Sequence, residues 1–490
     1  MPIFSLPSKY GIGDFGEESY KFVDYLESAN QKIWQILPLV QTGSGNSPYS
    51  SVCSNSFNPY YISLSALKDE GVLTERELEF ATSQVKMVDY GKLYRVRDLL
   101  LRKAFYRYDK TSLEYDKFKN GKEFYDYALF MAIKEHSGYK PFYEWEKEYK
   151  YRNKKALKAF ALSHSEEIEF RRFLQFIAKK QWLNLKKYAN KKGVKIMGDM
   201  PLYVSQDSVD VWLNPNLFKL DKDLNPTKVA GVPPDYFSQS GQLWGNPLYD
   251  YDNNKEGCIR WWVSRITNTL KIYDYVRIDH FRALDRYYEI PFGAKDATQG
   301  VWVSAPGREL FDRVFEKVKR DKIVAEDLGI IDDGVRDLLR YANLPGMKIL
   351  SFAFNGDPDN LYLPENAVEN GVCYTGTHDN DTLMGLWDNS NDWDRANLLM
   401  GVNRSLKKMN INRQVSDKAS FVKAVIELGY KSKSQAFIVP IQDVFGLSSE
   451  YRINVPGTIS EKNWSVRIAK KHFKKSYADA LKKLTIKYGR

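Results

Sequence analysis

The segment Tyr273-Asp-Tyr-Val-Arg-Ile-Asp-His-Phe-Arg282 places two charged residues inside a run that otherwise suits a buried β-strand. Residues two apart on a strand share a face, so Arg277 and Asp279 point the same way, beside neighbours such as Val276 and Ile278. Charges on a buried strand cost free energy unless they pair or take part in chemistry. A lone Arg-x-Asp can be a structural ion pair, so its meaning depends on what the other strands carry.

Three further apolar runs also end in carboxylates. Residues 322–329 read Lys-Ile-Val-Ala-Glu-Asp-Leu-Gly, residues 371–381 lead to Thr377-His378-Asp379-Asn380-Asp381, and residues 194–203 contain Gly198-Asp199-Met200. Each run then meets a loop signal. In a (β/α)₈ barrel the βα loops meet at the carboxyl ends of the strands, and the chemistry is assembled there. The four runs therefore predict a barrel with Asp199, Asp279, Glu326 and Asp379 at one rim.

The rest of the chain fits one α/β domain, a (β/α)₈ TIM barrel with helical subdomain insertions, over residues 1–490. Strands and helices alternate from Val194 onward, which indicates a parallel sheet. Helical spacing predicts an insertion at about 67–190, and a Pro-, Gly- and aromatic-rich segment at about 204–250 predicts a long active-site loop. Strands are expected near 32–40, 194–200, 274–280, 322–327, 347–354, 371–377 and 436–443, with a short strand or strand-end loop at 58–64.

Composition limits the functional classes. The 490 residues are 43% hydrophobic and 14% aromatic, which suits a packed core with a minority of rings lining a sugar groove. Three widely spaced cysteines and no evident signal peptide predict a reduced, cytoplasmic protein, and no apolar stretch approaches a membrane span. The net charge of +11 lies largely on lysine-rich helical faces, and no readable nucleic-acid module accompanies it. We therefore expect neither a nucleic-acid nor a membrane partner.

The carboxylates at the predicted rim suit glycoside chemistry. Hydrolysis or transfer at a glycosidic bond ordinarily uses two carboxyl groups that flank the bond. His280 and His378 form no HxH or HExxH pattern, which argues against a transition-metal site. Neither a phosphate-binding glycine motif nor a GxSxG nucleophile elbow occurs. No cofactor or metal is expected.

An ordered set of motifs resembles the amylomaltase or 4-α-glucanotransferase (disproportionating enzyme) family of the α-amylase superfamily, almost end to end. Any one tetrapeptide would be weak, and the specificity comes from their order. The motifs are Ser5-Leu-Pro-Ser-Lys-Tyr-Gly-Ile-Gly-Asp14, Ser47-Pro-Tyr-Ser50, Asn58-Pro-Tyr60, Gly198-Asp-Met-Pro201, Gly231-Val-Pro-Pro-Asp-Tyr-Phe237, Gly241-Gln-Leu-Trp-Gly-Asn-Pro247, Arg277-Ile-Asp-His-Phe-Arg282, Ala325-Glu-Asp-Leu-Gly329, Leu344-Pro-Gly-Met347, Thr375-Gly-Thr-His-Asp-Asn380 and Asn454-Val-Pro-Gly-Thr458.

The resemblance implies retaining transfer of an α-1,4-glucan segment from a malto-oligosaccharide to the 4-hydroxyl of glucose or another glucan. By it, Asp279 is the nucleophile, Glu326 the general acid/base and Asp379 the residue that holds sugar hydroxyls beside the reacting carbon. The resemblance also implies an ion pair of Arg277 with the nucleophile and sugar contacts by His378, Asp199 and Tyr60. It assigns Tyr236, Phe237 and Trp244 to an acceptor-side loop that restricts water.

Several alternatives stay open at this point. Asp199 could be a loop cap and Tyr60 simple packing, while Trp302 and Trp387 are expected in the core. An α-amylase-like hydrolase, an inactive glucan-binding protein and a basic RNA-binding protein are rival functions. The chain is expected to be a monomer or homodimer. Two departures from the family pattern are the short start, Met1-Pro-Ile-Phe4, and Ser54-Asn-Ser-Phe-Asn58 where small residues are more usual.

Overall fold

The computed structural model describes residues 1–43, 45–83, 85–234 and 238–490, and strands form two kinds of sheet in these ranges. The strands are β1 (Ile33–Gln35), β2 (Lys195–Met200), β3 (Lys228–Val232), β4 (Gln242–Pro247), β5 (Tyr275–Ile278), β6 (Arg286–Pro291), β7 (Val301–Ser304), β8 (Ile323–Ala325), β9 (Gly346–Ile349), β10 (Gly371–Tyr374) and β11 (Ala436–Ile438).

The wall of the barrel consists of parallel strands in two hydrogen-bonded groups, β1-β2-β5-β8 and β9-β10-β11. The backbone N–H of Ala325 donates to the Pro345 carbonyl at 2.9 Å and joins the two groups next to β8 and β9. Val276, Ile278, Ile323 and Ala325 are each 0% exposed, so the central strands are fully buried. Each parallel strand overlaps one of the segments predicted from the sequence, and β9 begins one residue before its segment.

Helices fill the intervals between the strands. They are α1 (Glu17–Ser28), α2 (Leu64–Asp69), α3 (Glu75–Glu79), α4 (Tyr90–Arg107), α5 (Leu113–Asn120), α6 (Tyr125–His136), α7 (Lys147–Lys150), α8 (Lys154–Ser163), α9 (Ser165–Lys191), α10 (Val209–Leu213), α11 (Tyr251–Ile272), α12 (Gly307–Phe315), α13 (Asp333–Ala342), α14 (Leu383–Asn389), α15 (Asp392–Lys408), α16 (Lys418–Lys431), α17 (Ile441–Val444) and α18 (Lys475–Tyr488).

Local sequence signals explain several helix ends. The Thr74 side chain accepts from the Glu77 backbone N–H, and the Glu77 carboxylate accepts from the Thr74 N–H, which forms a capping box at the start of α3. After α9, Gly193 adopts the left-handed conformation with φ 75°, as expected of a glycine just past a helix end. These signals fix where the helices between β1 and β2 begin and end.

Two local predictions need correction. Of the two alternatives for residues 58–64, the short strand is wrong: the connection after β1 contains a 3-10 helix, Pro59–Tyr61, and leads into α2, because the Asn58 side chain accepts from the Tyr60 N–H. The segment 204–250 is not one long loop, since it contains α10, β3 and β4. These strands belong to an antiparallel sheet of order β4-β3-β6-β7, whose members β6 and β7 the sequence did not suggest.

At the beginning of the sequence, residues Ile3–Ser5 form a short 3-10 helix rather than a strand. The Met1 α-amino group donates to the Gln35 carbonyl at 3.2 Å, and the Trp34 indole N–H donates to the Met1 carbonyl at 2.7 Å. These contacts place the first residues against β1.

Candidate active site

Four carboxylates of the sequence motifs lie at or just beyond the carboxyl ends of parallel strands of the barrel. Asp199 is on β2, Asp279 and Glu326 directly follow β5 and β8, and Asp379 lies in the loop after β10. Asp199 and Arg277 are register partners across β2 and β5. Because parallel strands end at a common rim, residues far apart in the sequence meet there.

Arg277 bridges two of these carboxylates. Its Nε lies 3.0 Å from Asp199 Oδ1, and its Nη2 lies 2.6 Å from Asp199 Oδ2 and 2.9 Å from Asp279 Oδ1. The side chains of Arg277 and Asp199 are 3% and 0% exposed, whereas that of Asp279 is 27% exposed. The bidentate pair is therefore buried behind Asp279, which is the carboxylate that opens toward solvent.

A tyrosine completes this buried cluster. The Tyr49 hydroxyl donates to Asp199 Oδ2 at 2.6 Å and accepts from Arg277 Nη2 at 3.3 Å. Its ring stacks on His378 with centroids 5.0 Å apart. Burial lowers the pKa of His378, so the imidazole is neutral at neutral pH. Tyr49 thus joins the Arg277 cluster to the loop after β10.

Glu326 is held by backbone donors. The N–H of His280 donates to Glu326 Oε2 at 2.6 Å, and the N–H of Leu328 donates to Oε1 at 2.9 Å. His280 has φ 48°, a left-handed conformation that is uncommon outside glycine, at the start of the 3-10 helix Phe281–Leu284. This turn directs the His280 N–H toward Glu326. It therefore links the residues that follow β5 to the carboxylate that follows β8.

The electrostatic surroundings give the Glu326 and Asp279 carboxyls different pKa values. Burial raises the pKa of Glu326 to about 8, and repulsion by Asp279 adds to the rise. Burial also raises the pKa of Asp279, to about 7, while the Arg277 charge opposes the shift. Two interacting carboxyls titrate as a pair, and the one bonded to arginine ionises first. The arrangement favours an ionised Asp279 beside a protonated Glu326.

Asp379 lies on the loop after β10, which also carries His378. The Asn454 side-chain amide donates to Asp379 Oδ1 at 2.7 Å, and Arg452 Nη2 donates to the Asp379 carbonyl at 2.5 Å. His378 Nε2 is 3.4 Å from the same carboxylate oxygen. The Asp379 side chain remains 43% exposed, so it is oriented by neighbours yet open to a ligand.

These groups line an open cavity of about 1330 Å³. That volume exceeds the usual range of small-molecule pockets and suits an extended chain. Trp244 lies at its wall, with its ring 4.8 Å from that of His280. Other lining side chains are Arg277, Asp279, Glu326, His378, Asp379, Trp302, Phe352 and Tyr362. The predicted Tyr236 and Phe237 lie outside the described residues.

Two sequence-based assignments need correction. Tyr60 is absent from the cavity wall; it lies in the 3-10 helix before α2, with its ring 6.2 Å from that of Tyr90, because Asn58 caps that turn. Asp199 does not contact the cavity through its side chain, which is 0% exposed and bonded to Arg277 and Tyr49. The tyrosine beside the carboxylates is Tyr49 of the Ser-Pro-Tyr-Ser motif.

Sequence reasoning also missed Asn454 as a partner of Asp379 and placed Trp302 in the core, whereas Trp302 lines the cavity. Asn454 begins the motif Asn454-Val-Pro-Gly-Thr458, but the sequence did not indicate that its side chain would bond to Asp379. Within the described ranges, no group of three or more His, Cys, Asp or Glu side chains could hold a metal ion. No helix in those ranges has the length and apolar character needed to cross a bilayer.

Known proteins are similar to this chain in sequence and fold. A family model described as 4-alpha-glucanotransferase matches residues 1–472. A Clostridium butyricum protein named 4-alpha-glucanotransferase is 40% identical over 497 residues, covering 100% of both chains. An Aquifex aeolicus protein of the same name is 40% identical, covering 100% of this chain and 98% of its own.

Two solved structures have a fold similar to that of this chain. The amylomaltase from Streptococcus agalactiae in complex with acarbose matches with a TM-score of 0.94 and 39% identity, over 100% of this chain and 98% of that one. The amylomaltase from Corynebacterium glutamicum, 18% identical over 99% of this chain and 74% of its own, has a TM-score of 0.79 and supports the fold alone. The predicted (β/α)₈ class is confirmed.

Proposed function

The chain belongs to the 4-alpha-glucanotransferase family, and from that membership we propose that Asp279 and Glu326 transfer α-1,4-glucan segments between malto-oligosaccharides. The supporting observation is the pair itself: one carboxyl bonded to a buried arginine, the other held by backbone N–H groups in the same cavity. The high-coverage relatives favour transfer over α-amylase-like hydrolysis.

In the first step, ionised Asp279 attacks the anomeric carbon of the donor while the bond to the glycosidic oxygen breaks. Glu326 gives its proton to that oxygen, because an alkoxide is a poor leaving group. The products are a glycosyl ester on Asp279 and a shortened glucan with a free 4-hydroxyl. Arg277 keeps Asp279 ionised before attack, and its buried pairing with Asp199 fixes its position.

In the second step, the 4-hydroxyl of an acceptor glucan gives its proton to Glu326 and attacks the same carbon, which breaks the ester to Asp279. Two inversions retain the α configuration. Asp379, oriented by Asn454 and still exposed, is placed to hold sugar hydroxyls beside the reacting carbon. His378, neutral and adjacent to Asp379, can donate or accept a hydrogen bond to the same ring.

The partners of this reaction are malto-oligosaccharides, with glucose as the shortest acceptor. We place the protein in a reducing compartment, consistent with the cytoplasmic expectation, because Cys53, Cys258 and Cys373 are all buried and unpaired. A monomer or homodimer remains our proposal for its assembly.

Incubation with maltotriose tests the function. The wild type should produce free glucose together with glucans longer than maltotriose. Asp279→Asn, Glu326→Gln and Asp379→Asn should each be slower by a factor of roughly 10²–10⁴ while remaining folded. Arg313→Gln, on the exposed face of α12, serves as a matched control with normal turnover. Conversion to glucose and maltose without longer products would identify a hydrolase instead.

A further inference from the structure

We propose that Trp302, positioned by Arg282, is a sugar-stacking residue on the acceptor side of the cavity. The proposal rests on the proposed function, because it assigns part of that same site. Trp302 lies on β7, an edge strand of the antiparallel sheet, and lines the cavity wall together with Glu326. Nothing in the catalytic steps described above uses this residue.

The contact between Arg282 and Trp302 is close and buried. The guanidinium carbon lies 3.8 Å from the centroid of the indole ring, and Arg282 is only 4% exposed. Arg282 also donates to the Ile330 carbonyl, and its Nη2 lies 3.1 Å from Asp332 Oδ2. A planar guanidinium fixed by two other partners holds the indole in one orientation. Arg282 covers one face of Trp302, and the Tyr288 ring packs beside the indole with centroids 5.1 Å apart at 62°. The rest of the partly exposed indole lines the cavity and is the part a ligand would contact.

The position of these residues indicates the acceptor side. Glu326 must contact the glycosidic oxygen, so the departing glucan and the incoming acceptor both lie on its side of the scissile bond. Arg282 donates hydrogen bonds to residues 330 and 332, which follow Glu326 by only a few positions in the same loop. Arg282 follows Asp279 by three residues, and its contacts with residues 330 and 332 link the indole to the loop that carries the general acid.

A parallel arrangement exists at the opposite edge of the sheet. Trp244 on β4 contacts the His280 ring, and the His280 N–H donates to Glu326 Oε2. The order β4-β3-β6-β7 makes β4 and β7 the two edges, and each presents a tryptophan to the cavity. Flat apolar faces of this kind suit the faces of glucose rings, which carry C–H groups. The sheet therefore forms a wall of the acceptor site with two rings.

The test separates acceptor binding from the first chemical step. An α-maltosyl fluoride donor leaves the acceptor side empty during formation of the glycosyl-enzyme, and maltose then serves as the acceptor. Trp302→Ala should leave kcat/KM for fluoride release within about twofold of the wild type. Its KM for maltose should rise about three- to tenfold, the loss expected from one aromatic contact. Trp302→Phe should recover most of the acceptor affinity.

Two further variants complete the experiment. Arg282→Lys keeps the charge but loses the planar stack, so it should raise the KM for maltose with a smaller effect on fluoride release. The control is Phe80→Ala, which replaces an exposed aromatic residue directly after α3. It should change neither the KM for maltose nor the rate of fluoride release. If Trp302→Ala does not fold, Trp302→Leu replaces it, because leucine fills volume without a flat face.

An unchanged KM for maltose in a folded Trp302→Ala or Trp302→Leu variant would overturn the proposal, as would an equal loss in fluoride release. Failure of the proposed function looks different, since wild-type enzyme would then release fluoride without forming any maltose-extended product.

Discussion

At the scale of single residues, Asp279 and Glu326 should be distinguishable by the leaving group. Fluoride departs without a proton, so Glu326→Gln should form the glycosyl-enzyme from α-maltosyl fluoride far faster than from maltotriose. Asp279→Asn lacks the nucleophile and should be slow with both donors. Fluoride release and glucose release, compared for the two variants, measure this. Selective rescue of Asp279→Asn by the fluoride would reverse the two assignments.

The pH dependence of the wild type follows from the same pair. Glu326 donates only when protonated, so kcat/KM for maltotriose should fall as the pH rises through its raised pKa, about 8. Asp279 attacks only when ionised, so the rate should also fall as the pH drops below about 7. With α-maltosyl fluoride the first step needs no acid, and only the fall at low pH should remain. An alkaline fall of equal size with the fluoride would contradict this assignment of the acid.

At the scale of elements, helix α9 holds the loop after β1 through the buried side-chain amide of Gln175, which makes two hydrogen bonds. Gln175 Oε1 accepts from the Phe57 N–H at 2.7 Å and its Nε2 donates to the Phe57 carbonyl at 2.9 Å. Gln175→Leu would leave both backbone groups buried without partners, and each costs about 1–3 kcal/mol. The free energy of unfolding should therefore fall by about 2–4 kcal/mol.

Urea denaturation followed by circular dichroism measures this loss, with the exposed Gln299→Leu as the control. Gln299 lies in an exposed turn, so its replacement should change stability by less than about 0.5 kcal/mol. Equal midpoints for Gln175→Leu and the wild type would show that the hydrogen bonds of the Gln175 side chain contribute nothing to stability.

The elements also show what the sequence could and could not predict. Strands such as β5 and β8 were predictable because uninterrupted apolar runs mark buried parallel strands. Strands β6 and β7 were missed because Arg286, Glu289 and the exposed Val301 interrupt the apolar pattern, although most of β6 is buried. Tyr49 and Tyr60 both follow a proline in a motif, and only the fold shows which of them reaches Asp199. The carboxylates were predictable because their strand-end position restricts where they lie.

At the scale of the whole molecule, a segment near the end of the sequence joins regions that are distant along the chain. Arg467 Nη2 donates to the Ser8 carbonyl at 2.7 Å, and its Nη1 donates to the Val85 carbonyl at 3.0 Å. Trp464, three residues earlier, has its ring 5.6 Å from that of His378. The start of the chain, the helical region and the active site thus share one short segment, which supports our proposal of a single domain over residues 1–490.

This connection predicts that folding and activity are lost together. Arg467→Met removes two hydrogen bonds from a charged donor, each worth about 1.5–3 kcal/mol, and should lower the free energy of unfolding by about 3–6 kcal/mol. Because Trp464 and Asn454 lie close to this segment, urea should abolish transfer from maltotriose and the helical circular dichroism signal at one midpoint, shifted equally in the variant. Arg313→Met, which loses only an exposed pair with Glu316, should not shift it. Two separate transitions, with activity lost while the helical signal persists, would mean that the helices of residues 64–191 unfold independently of the barrel.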